Sequence, residues 1–312
     1  MKATCHFLNV GQGMSQVIEI GQQKAIVVDT GSQSGQHSPL LKLLAEREIQ
    51  KIEVLILSHN DTDHIGGVVS LLRKYSKQIE YIGFLTDRGN NDKFIQTIKK
   101  YYPSDSKIRL EVDAPNLSKD IFKNNSVPIC VKVLFPTFSE NIQYEKNETC
   151  AVVMLIVGTQ KVIFSGDASI LAWRSIVNRN ENRQIVANIL TVPHHGGRFT
   201  SVPPSHCDFQ KQLVEFHTQL VKTNYAVASF ASHNKYRHPI SEVIRSFAQN
   251  KVEIFCIQKA EECDEGTSGD CCGTIIADIG TDETKIRNHE ELKRRKEERK
   301  SRLCCVYTEH SI

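Results

Sequence analysis

Residues 54–67 read Val-Leu-Ile-Leu-Ser-His-Asn-Asp-Thr-Asp-His-Ile-Gly-Gly, an apolar run followed by a polar turn. The apolar run from Val54 to Leu57 predicts a short buried strand. Nitrogen and oxygen donors that converge after such a strand suit a divalent metal ion. The alternative is a capped polar turn whose histidines bind nothing. The dense set of donors favours the metal site, and its members are His59, Asp61, Asp63 and His64.

Two later segments repeat the pattern of a strand that ends in a donor side chain. Asp167 follows a predicted strand over residues 161–165, and His194 follows another over residues 188–192. Strand ends at one sheet edge are where separate segments can meet. We therefore expect three carboxylates and three imidazoles at one place, enough for two divalent cations with a bridging carboxylate. The six expected donors are Asp61, Asp63, Asp167, His59, His64 and His194.

The composition is that of an ordinary globular protein. The chain has 312 residues, 40% of them hydrophobic and 24% charged, which suffices for a large core. The longest apolar run, Ala151 to Val157, is too short to span a bilayer. The first residues lack the apolar segment of a signal peptide, so a cytoplasmic location and reduced cysteines are expected.

The positive charge lies mainly near the C-terminal end of the sequence. Residues 284–302 hold nine Lys or Arg and four Glu, a net charge of +5, and the whole chain carries +3. The remaining residues are therefore close to neutral. We predict one folded domain over residues 1–283 and a basic tail over residues 284–312. The tail is either a nucleic-acid contact or a solvated helix of mixed charge.

The element pattern predicts one domain of class α+β. Early hairpins are followed by alternating strands and helices, which suggests two mixed sheets with outer helices. The segment 113–126 is rich in Asn, Asp, Ser and Pro and is predicted to be a loop.

These motifs together resemble the metallo-β-lactamase fold hydrolases, and most closely the hydrolase domain of ComEC-like DNA-uptake proteins. The likeness covers residues 4–280 and implies an αββα sandwich with metal ions at the sheet edge. Asp61 replaces a histidine of the general family, as in the ComEC-like branch. The family's third-motif histidine has no counterpart near Cys150, so one metal position is expected to be rich in oxygen. Further matching segments include 7–13, 29–31, 192–196, 234–239 and 273–275.

The resemblance implies a role for each donor. His59 and Asp61 would bind one cation, and Asp63, His64 and His194 would bind the other. Asp167 would bridge the two cations, which we expect to be Zn²⁺ or Mn²⁺. His195 would orient a ligand or the substrate.

A second segment, 234–239, supplies candidate substrate contacts. His238 could donate a proton to a leaving oxygen or hold a phosphate, with Lys235 or Arg237 as a charge clamp and Tyr236 beside them. The equally weighted alternative is a histidine that merely precedes a helix. Asp63, Asp167 and His238 are the candidate catalytic residues.

The function predicted from these residues is metal-dependent phosphodiester hydrolysis of DNA or nucleotides through an activated water. A nucleic acid or nucleotide substrate is expected, and no membrane partner. One alternative is hydrolysis of a carbonyl substrate such as a lactone, thioester or β-lactam. Another is a non-catalytic metal-binding interaction module. Soluble ComEC-like hydrolases also occur as bacterial defence effectors, which is a matter of resemblance alone.

Overall fold

The fold consists of two packed β-sheets with helices on their outer faces. The computed structural model describes residues 2–31, 38–85, 93–102, 104–113, 116–124, 128–143, 148–198, 206–258 and 273–287.

The first sheet, as described, has eight strands in the order β15-β14-β1-β2-β3-β4-β5-β6. It is antiparallel from β15 to β3 and parallel from β3 to β6. The parallel part places the ends of β3 and β4 side by side. The bounds are β1 (Ala3–Phe7), β2 (Gln16–Ile20), β3 (Lys24–Val28), β4 (Lys51–Leu57), β5 (Ile79–Phe84), β6 (Lys107–Arg109), β14 (Ile275–Ile279) and β15 (Thr284–Ile286).

The second sheet has seven described strands in the order β13-β12-β11-β10-β9-β8-β7. Its antiparallel part runs from β7 to β10, and the remaining strands pair in parallel. The ends of β10 and β11 therefore lie next to each other at one edge. The bounds are β7 (Lys119–Asn124), β8 (Ile129–Phe135), β9 (Val152–Val157), β10 (Gln160–Phe164), β11 (Ile185–Thr191), β12 (Val221–Ala228) and β13 (Glu253–Cys256).

Three apolar clusters match the four layers of the sandwich. The central cluster holds inward residues of both sheets, such as Ile56 and Val153, and the other two lie between each sheet and its helices. The predicted αββα arrangement of two mixed sheets is thereby confirmed. No described helix is long and apolar enough to cross a membrane. The described α-helices are α1 (Pro39–Glu46), α2 (Thr62–Ile65), α3 (Val68–Tyr75), α4 (Lys93–Tyr101), α5 (Phe138–Gln143), α6 (Ile170–Arg179), α7 (His206–Glu215) and α8 (Ser241–Gln249).

Two segments differ from the sequence prediction. Part of the predicted loop 113–126 forms β7, an edge strand in which Ile121 is the buried residue. Its remaining side chains are mostly polar, which is typical of an edge strand and hides the apolar alternation. The first residues of the predicted tail form β15, which pairs with β14. Residues 288–312, the rest of that tail, lie outside the described residues.

An ion cluster on Asp278 joins β14 to the N-terminal strand and to Arg287. The carboxylate accepts hydrogen bonds from Arg287 Nη2 at 2.6 Å and Thr4 Oγ1 at 3.0 Å, and it lies 3.0 Å from Lys2 Nζ. Burial alone would raise the pKa of Asp278, but these donors lower it to about 2. The ionised carboxylate therefore stabilises the folded state.

We expect Asp278→Asn to lower the free energy of unfolding by about 1 kcal/mol at pH 7, allowing for solvent screening of a partly exposed cluster. A carboxylate with a lowered folded pKa stabilises above its unfolded value of 3.8, and this contribution is lost as the pH falls towards about 2. The difference between the two proteins should therefore shrink at pH 3. Urea unfolding at both pH values measures it, with the exposed Glu283→Gln as control. A difference independent of pH would contradict the assignment.

Candidate metal centre

The turn after β4 brings three of the predicted donors to the sheet edge. The His59 side chain is buried just beyond the strand, and Asp63 and His64 lie on the one-turn helix α2. Neighbouring loops hold this helix by its backbone. The Met14 N–H donates to the Asp63 carbonyl at 3.1 Å, and the Thr30 N–H donates to the His64 carbonyl at 2.7 Å. The donors are thus positioned by the protein backbone itself.

The carboxylate of Asp29, the residue that follows β3, orients the ring of His64. Its Oδ2 accepts a hydrogen bond from His64 Nδ1 at 2.8 Å and another from Ser58 Oγ at 2.7 Å. Ser58 Oγ also lies 3.0 Å from His59 Nδ1. Because the Nδ1 of His64 donates to Asp29, its Nε2 is the ring nitrogen that faces the site and is the one available to a metal ion. In the sequence, Asp29 lies in one of the segments that resemble the family, 29–31, but no role was predicted for it.

Asp29→Asn is expected to weaken metal binding by about 10- to 100-fold, the usual cost of removing the partner of a ligating histidine. The amide keeps the shape of the carboxylate but loses one acceptor and the charge that holds the His64 proton on Nδ1. Metal retained after dialysis against graded chelator, counted by mass spectrometry, measures the change. Ser15→Ala is the matched control, because Ser15 Oγ contacts only the backbone carbonyl of Asp29. Equal metal retention by the wild type, Asp29→Asn and Ser15→Ala would contradict the proposed role of Asp29.

Asp167 reaches the site because the turn after β10 packs very closely against Cys150. Gly166 has a φ of +48°, and a Cβ atom there would lie 2.3 Å from the sulfur of Cys150. That sulfur accepts the Asp167 N–H at 3.1 Å and lies 3.3 Å from His59 Nδ1. Cys150 therefore contacts both the His59 ring and the Asp167 backbone.

The carboxylate of Asp167 lies between the histidines. Its Oδ1 is 3.2 Å from His64 Nε2 and 3.4 Å from His195 Nε2, and its Oδ2 is 3.7 Å from His59 Nε2. Asp167 is therefore the one carboxylate among the described residues that approaches all three rings, which is the position of a bridging group.

His195 points into this cluster and is buried. Its Nδ1 donates to the Ser229 carbonyl at 2.7 Å, so its Nε2 is the ring nitrogen that faces the cluster. That Nε2 lies 3.1 Å from Asp63 Oδ2 and 3.3 Å from His64 Nε2. The sequence prediction had given the ligand role to the preceding histidine and an orienting role to His195.

His194 lies at the rim of the cluster. Its side chain is 38% exposed, its Nδ1 is 2.8 Å from the Arg198 carbonyl, and its Nε2 is 3.9 Å from Asp167 Oδ2. Both histidines have left-handed backbone angles, with φ of 51° and 55°. This tight turn after β11 directs the second ring inward and the first towards solvent.

The cluster has the electrostatic character of a cation site. The Nε2 atoms of His64 and His195 lie close together beside two carboxylates, an arrangement that a positive charge between the groups stabilises. Burial and His59 would lower the pKa of His64, but neighbouring carboxylates raise it to about 10. Burial would raise the pKa of Asp63, but its hydrogen bond with His195 and the neighbouring His64 lower it to about 2. Both pKa shifts show that the carboxylates stabilise positive charge at this place.

Two groups of donor atoms fit a metal ion, each within 4.8 Å of one another. One contains Asp63, His64 and His195, and the other contains His59, His64 and Asp167. His64 belongs to both groups, since its Nε2 lies 3.3 Å from His195 Nε2 and 3.2 Å from Asp167 Oδ1. The second group also has Asp61 nearby, whose Oδ2 is 3.6 Å from His59 Nε2.

Buried polar atoms that lack a hydrogen-bond partner also indicate a metal site here. His59 Nε2 and Asp167 Oδ1 are buried and have no hydrogen-bond partner among the described residues. Buried polar atoms are nearly always satisfied, so such pairs point to a missing ligand. Divalent cations between the histidines and carboxylates would satisfy both atoms. The donor set of nitrogen and oxygen fits Zn²⁺, Mn²⁺ or iron.

His238 closes one side of the cluster. Its ring centroid is 5.1 Å from that of His194 and 6.4 Å from that of His195. Burial, with some help from the neighbouring histidines, lowers the pKa of His238 to about 4. The ring is therefore neutral at pH 7.

The other predicted substrate residues lie on the same loop as His238, and two of them, Tyr236 and Arg237, line a cleft beside the cluster. Lys235, Tyr236 and Arg237 are all exposed. The cleft has a volume of about 380 Å³ and is lined in part by Arg198, Tyr236, Arg237 and His238. All the predicted site residues are thus within one region, in two neighbouring groups: the metal cluster and this cleft.

Known proteins resemble the chain at the level of fold and family. A curated relative, "ComE operon protein 3" of Bacillus subtilis (strain 168), is 23% identical over 267 residues, 79% of this chain and 31% of that protein. "Competence protein ComA" of Neisseria gonorrhoeae is 21% identical over 250 residues, 80% of this chain and 29% of that protein. The chain thus spans less than a third of either relative's length.

A solved structure shares the architecture. CmlA, a diiron β-hydroxylase from Streptomyces venezuelae, matches 81% of this chain and 52% of its own with a TM-score of 0.50 and 8% sequence identity. At that identity the match concerns the fold alone. The family model described as the metallo-beta-lactamase superfamily matches residues 8–198, well over half of the sequence. With its His and Asp clusters at the sheet edge, this chain belongs to the metallo-beta-lactamase superfamily of metal-dependent hydrolases.

Proposed function

We propose that the chain is a phosphodiesterase that cleaves nucleic acid or nucleotides with two divalent cations, Zn²⁺ or Mn²⁺. The observation that carries the proposal is the cationic cleft that opens beside the cluster. Arg198 and Arg237 line this cleft next to His238, and Glu242 is the one acidic side chain among the described residues that line it. Guanidinium groups bind phosphate oxygens in pairs, and a neutral ester or amide gains nothing from them.

We propose the following division of the ligands between two metal positions. His59 and Asp61 would hold one cation, Asp63, His64 and His195 the other, and Asp167 would lie between them. Cations in these positions supply Lewis-acid activation of water and offset the charge that develops at phosphorus. The first position has one nitrogen donor and the second has two, so we expect the first to bind more weakly.

The chain's own groups then orient the substrate. Arg237 and Arg198 would hold a backbone phosphate of the substrate in the cleft, and the neutral His238, between the cleft and the cluster, would donate or accept a hydrogen bond at a phosphate oxygen. Asp63 and His195, which contact each other, keep the ligand geometry fixed. The ComEC-like resemblance of the sequence also favours nucleic acid as the substrate.

The proposal is tested with three substrates on one metal-loaded preparation: bis-p-nitrophenyl phosphate, p-nitrophenyl acetate and single-stranded DNA. We expect turnover of the phosphodiester and the DNA, and loss of both in Asp63→Ala with the fold intact by circular dichroism. Asp282→Ala, an exposed carboxylate distant in sequence from the cluster, is the control. Preference for the acetate would favour a carbonyl hydrolase. Metal binding with no turnover of any substrate would favour an interaction module.

A further inference from the structure

One feature of the cleft is not used by the metal chemistry: Tyr236 is exposed on a rigid loop. The side chain is 53% exposed, an unusual position for a large aromatic ring. One neighbour is the His238 ring, whose centroid is 5.8 Å away at an interplanar angle of 29°. Lys235 Nζ lies 4.9 Å from the centroid of the same tyrosine ring. The ring is therefore surrounded by groups that favour stacked and charged ligands.

The loop that presents Tyr236 is fixed by hydrogen bonds. Asn234 Oδ1 accepts the backbone N–H groups of Tyr236 at 3.1 Å and His238 at 3.0 Å. Asn234 Nδ2 donates to the carbonyl of His238 at 2.6 Å. Just beyond, the Ile240 N–H donates to the Gly196 carbonyl at 2.8 Å, which fastens the loop to the turn of the metal cluster. Tyr236 is thus held at a set distance from the proposed cleavage site.

The ring of His238 packs closely against the turn after β11, so the cleft lies next to the metal cluster. A Cβ atom on Gly197 would lie 2.5 Å from His238 Nε2, so only glycine allows the His238 ring to approach the turn after β11. The cleft and the cluster therefore share one wall, the ring of His238. A substrate phosphate at the cluster would have its neighbouring nucleotide at Tyr236.

The chemistry of the cleft matches one unpaired nucleotide. The guanidinium groups of Arg198 and Arg237 suit a backbone phosphate, and an exposed tyrosine face suits a base of any sequence. The volume of about 380 Å³ lies at the small end of ligand pockets, which run from roughly 300 to 1,000 Å³. A base that is paired and stacked within a duplex cannot reach the tyrosine face.

We propose that this cleft is a subsite for one unpaired nucleotide next to the scissile phosphate, with Tyr236 as the stacking platform and Arg198 and Arg237 as phosphate contacts. The proposal rests on the proposed phosphodiesterase function and adds the substrate class, single-stranded nucleic acid. Lys235 is a long exposed side chain that an entering base displaces from the tyrosine ring. Its ammonium then remains beside the nucleotide backbone.

The test is a binding titration of the full chain by fluorescence anisotropy, in chelator so that no cleavage occurs. The probes are labelled ten-residue oligothymidylate, the matching oligouridylate and a duplex of equal length. We expect both single strands to bind at least about 10-fold more tightly than the duplex. Tyr236→Ala should weaken single-strand binding by about 5- to 100-fold, the usual range for one stacked base. Tyr236→Phe keeps the aromatic face and should bind within about 2-fold of wild type.

Salt dependence separates the phosphate contacts from stacking. Arg237→Gln should weaken binding of every probe and reduce the slope of log K against log salt by somewhat less than one unit. Tyr236→Ala should leave that slope unchanged. Equal single-strand binding by Tyr236→Ala and wild type, a preference for the duplex, or no binding of single strands by the wild type would each overturn the proposal.

The subsite and the proposed function can fail separately. Cleavage of bis-p-nitrophenyl phosphate by the metal-loaded wild type, together with no effect of Tyr236→Ala on oligonucleotide binding, would reject the subsite and leave the phosphodiesterase standing. Single-strand binding that depends on Tyr236, without cleavage of any phosphodiester, would reject the phosphodiesterase and leave a nucleotide-binding cleft.

Discussion

Asp167→Asn is expected to lower phosphodiester turnover by at least about 1,000-fold, or roughly 4 kcal/mol of transition-state stabilisation. The carboxylate lies between the rings of His59, His64 and His195, so its charge offsets both proposed cations at once. The amide has the same size but is neutral and offers a single acceptor oxygen. Turnover of bis-p-nitrophenyl phosphate at saturating Mn²⁺ measures the effect.

The same variant should also change the metal stoichiometry. Without the shared carboxylate, we expect retention to fall from near two equivalents to one or fewer. The position with two histidines, Asp63, His64 and His195, should be the one that stays filled. Cys150→Ser is a useful companion, because it disturbs the hydrogen bond to the Asp167 backbone and leaves the carboxylate in place. Full turnover by Asp167→Asn would show that the carboxylate has no bridging role.

His195→Ala and His194→Ala form a matched pair with opposite expected results. Removing His195 takes away a buried nitrogen donor 3.1 Å from Asp63 and 3.3 Å from His64. We expect this variant to lose one metal equivalent and at least about 100-fold in turnover, since ligands are needed for both metal position and charge. Metal content by mass spectrometry and turnover are measured on the same samples.

His194→Ala should retain both metal equivalents and lose less than about 10-fold in turnover. Its ring lies at the rim, and its Nδ1 is 2.8 Å from a backbone carbonyl. The two residues are adjacent in the chain, so any general damage to the turn should affect both variants alike. The reverse result, with metal lost only in His194→Ala, would restore the assignment made from the sequence.

The parts of the site that could be predicted from the sequence are those encoded locally. His59, Asp63 and His64 lie within six positions after an apolar strand, so their approach follows from the chain direction alone. Asp167 could be predicted because a donor directly after a buried strand lies at a sheet edge. The two-sheet sandwich followed from the element pattern together with the family resemblance.

The parts that could not be predicted depend on backbone angles and distant contacts. His194 and His195 are equal candidates on paper, and only the left-handed turn decides which ring points inward. The role of Asp29 depends on the parallel pairing of β3 with β4, which places Ser58 and His64 within its reach. Strand β7 was missed because its polar edge residues resemble a loop.

The pairing of β1 with β14 has a consequence for how this protein is made. Ala3 pairs with Ile279 and Phe7 with Ile275, so an N-terminal strand completes its hydrogen bonds with a segment synthesised about 270 residues later. At roughly 5–20 residues per second, the edge of β1 stays open for about 15 to 55 s on the ribosome. An unpaired strand edge is a template for association with other chains. Nascent chains on crowded polysomes are therefore at risk of pairing with each other, and chaperone capacity during translation should set the yield of active protein.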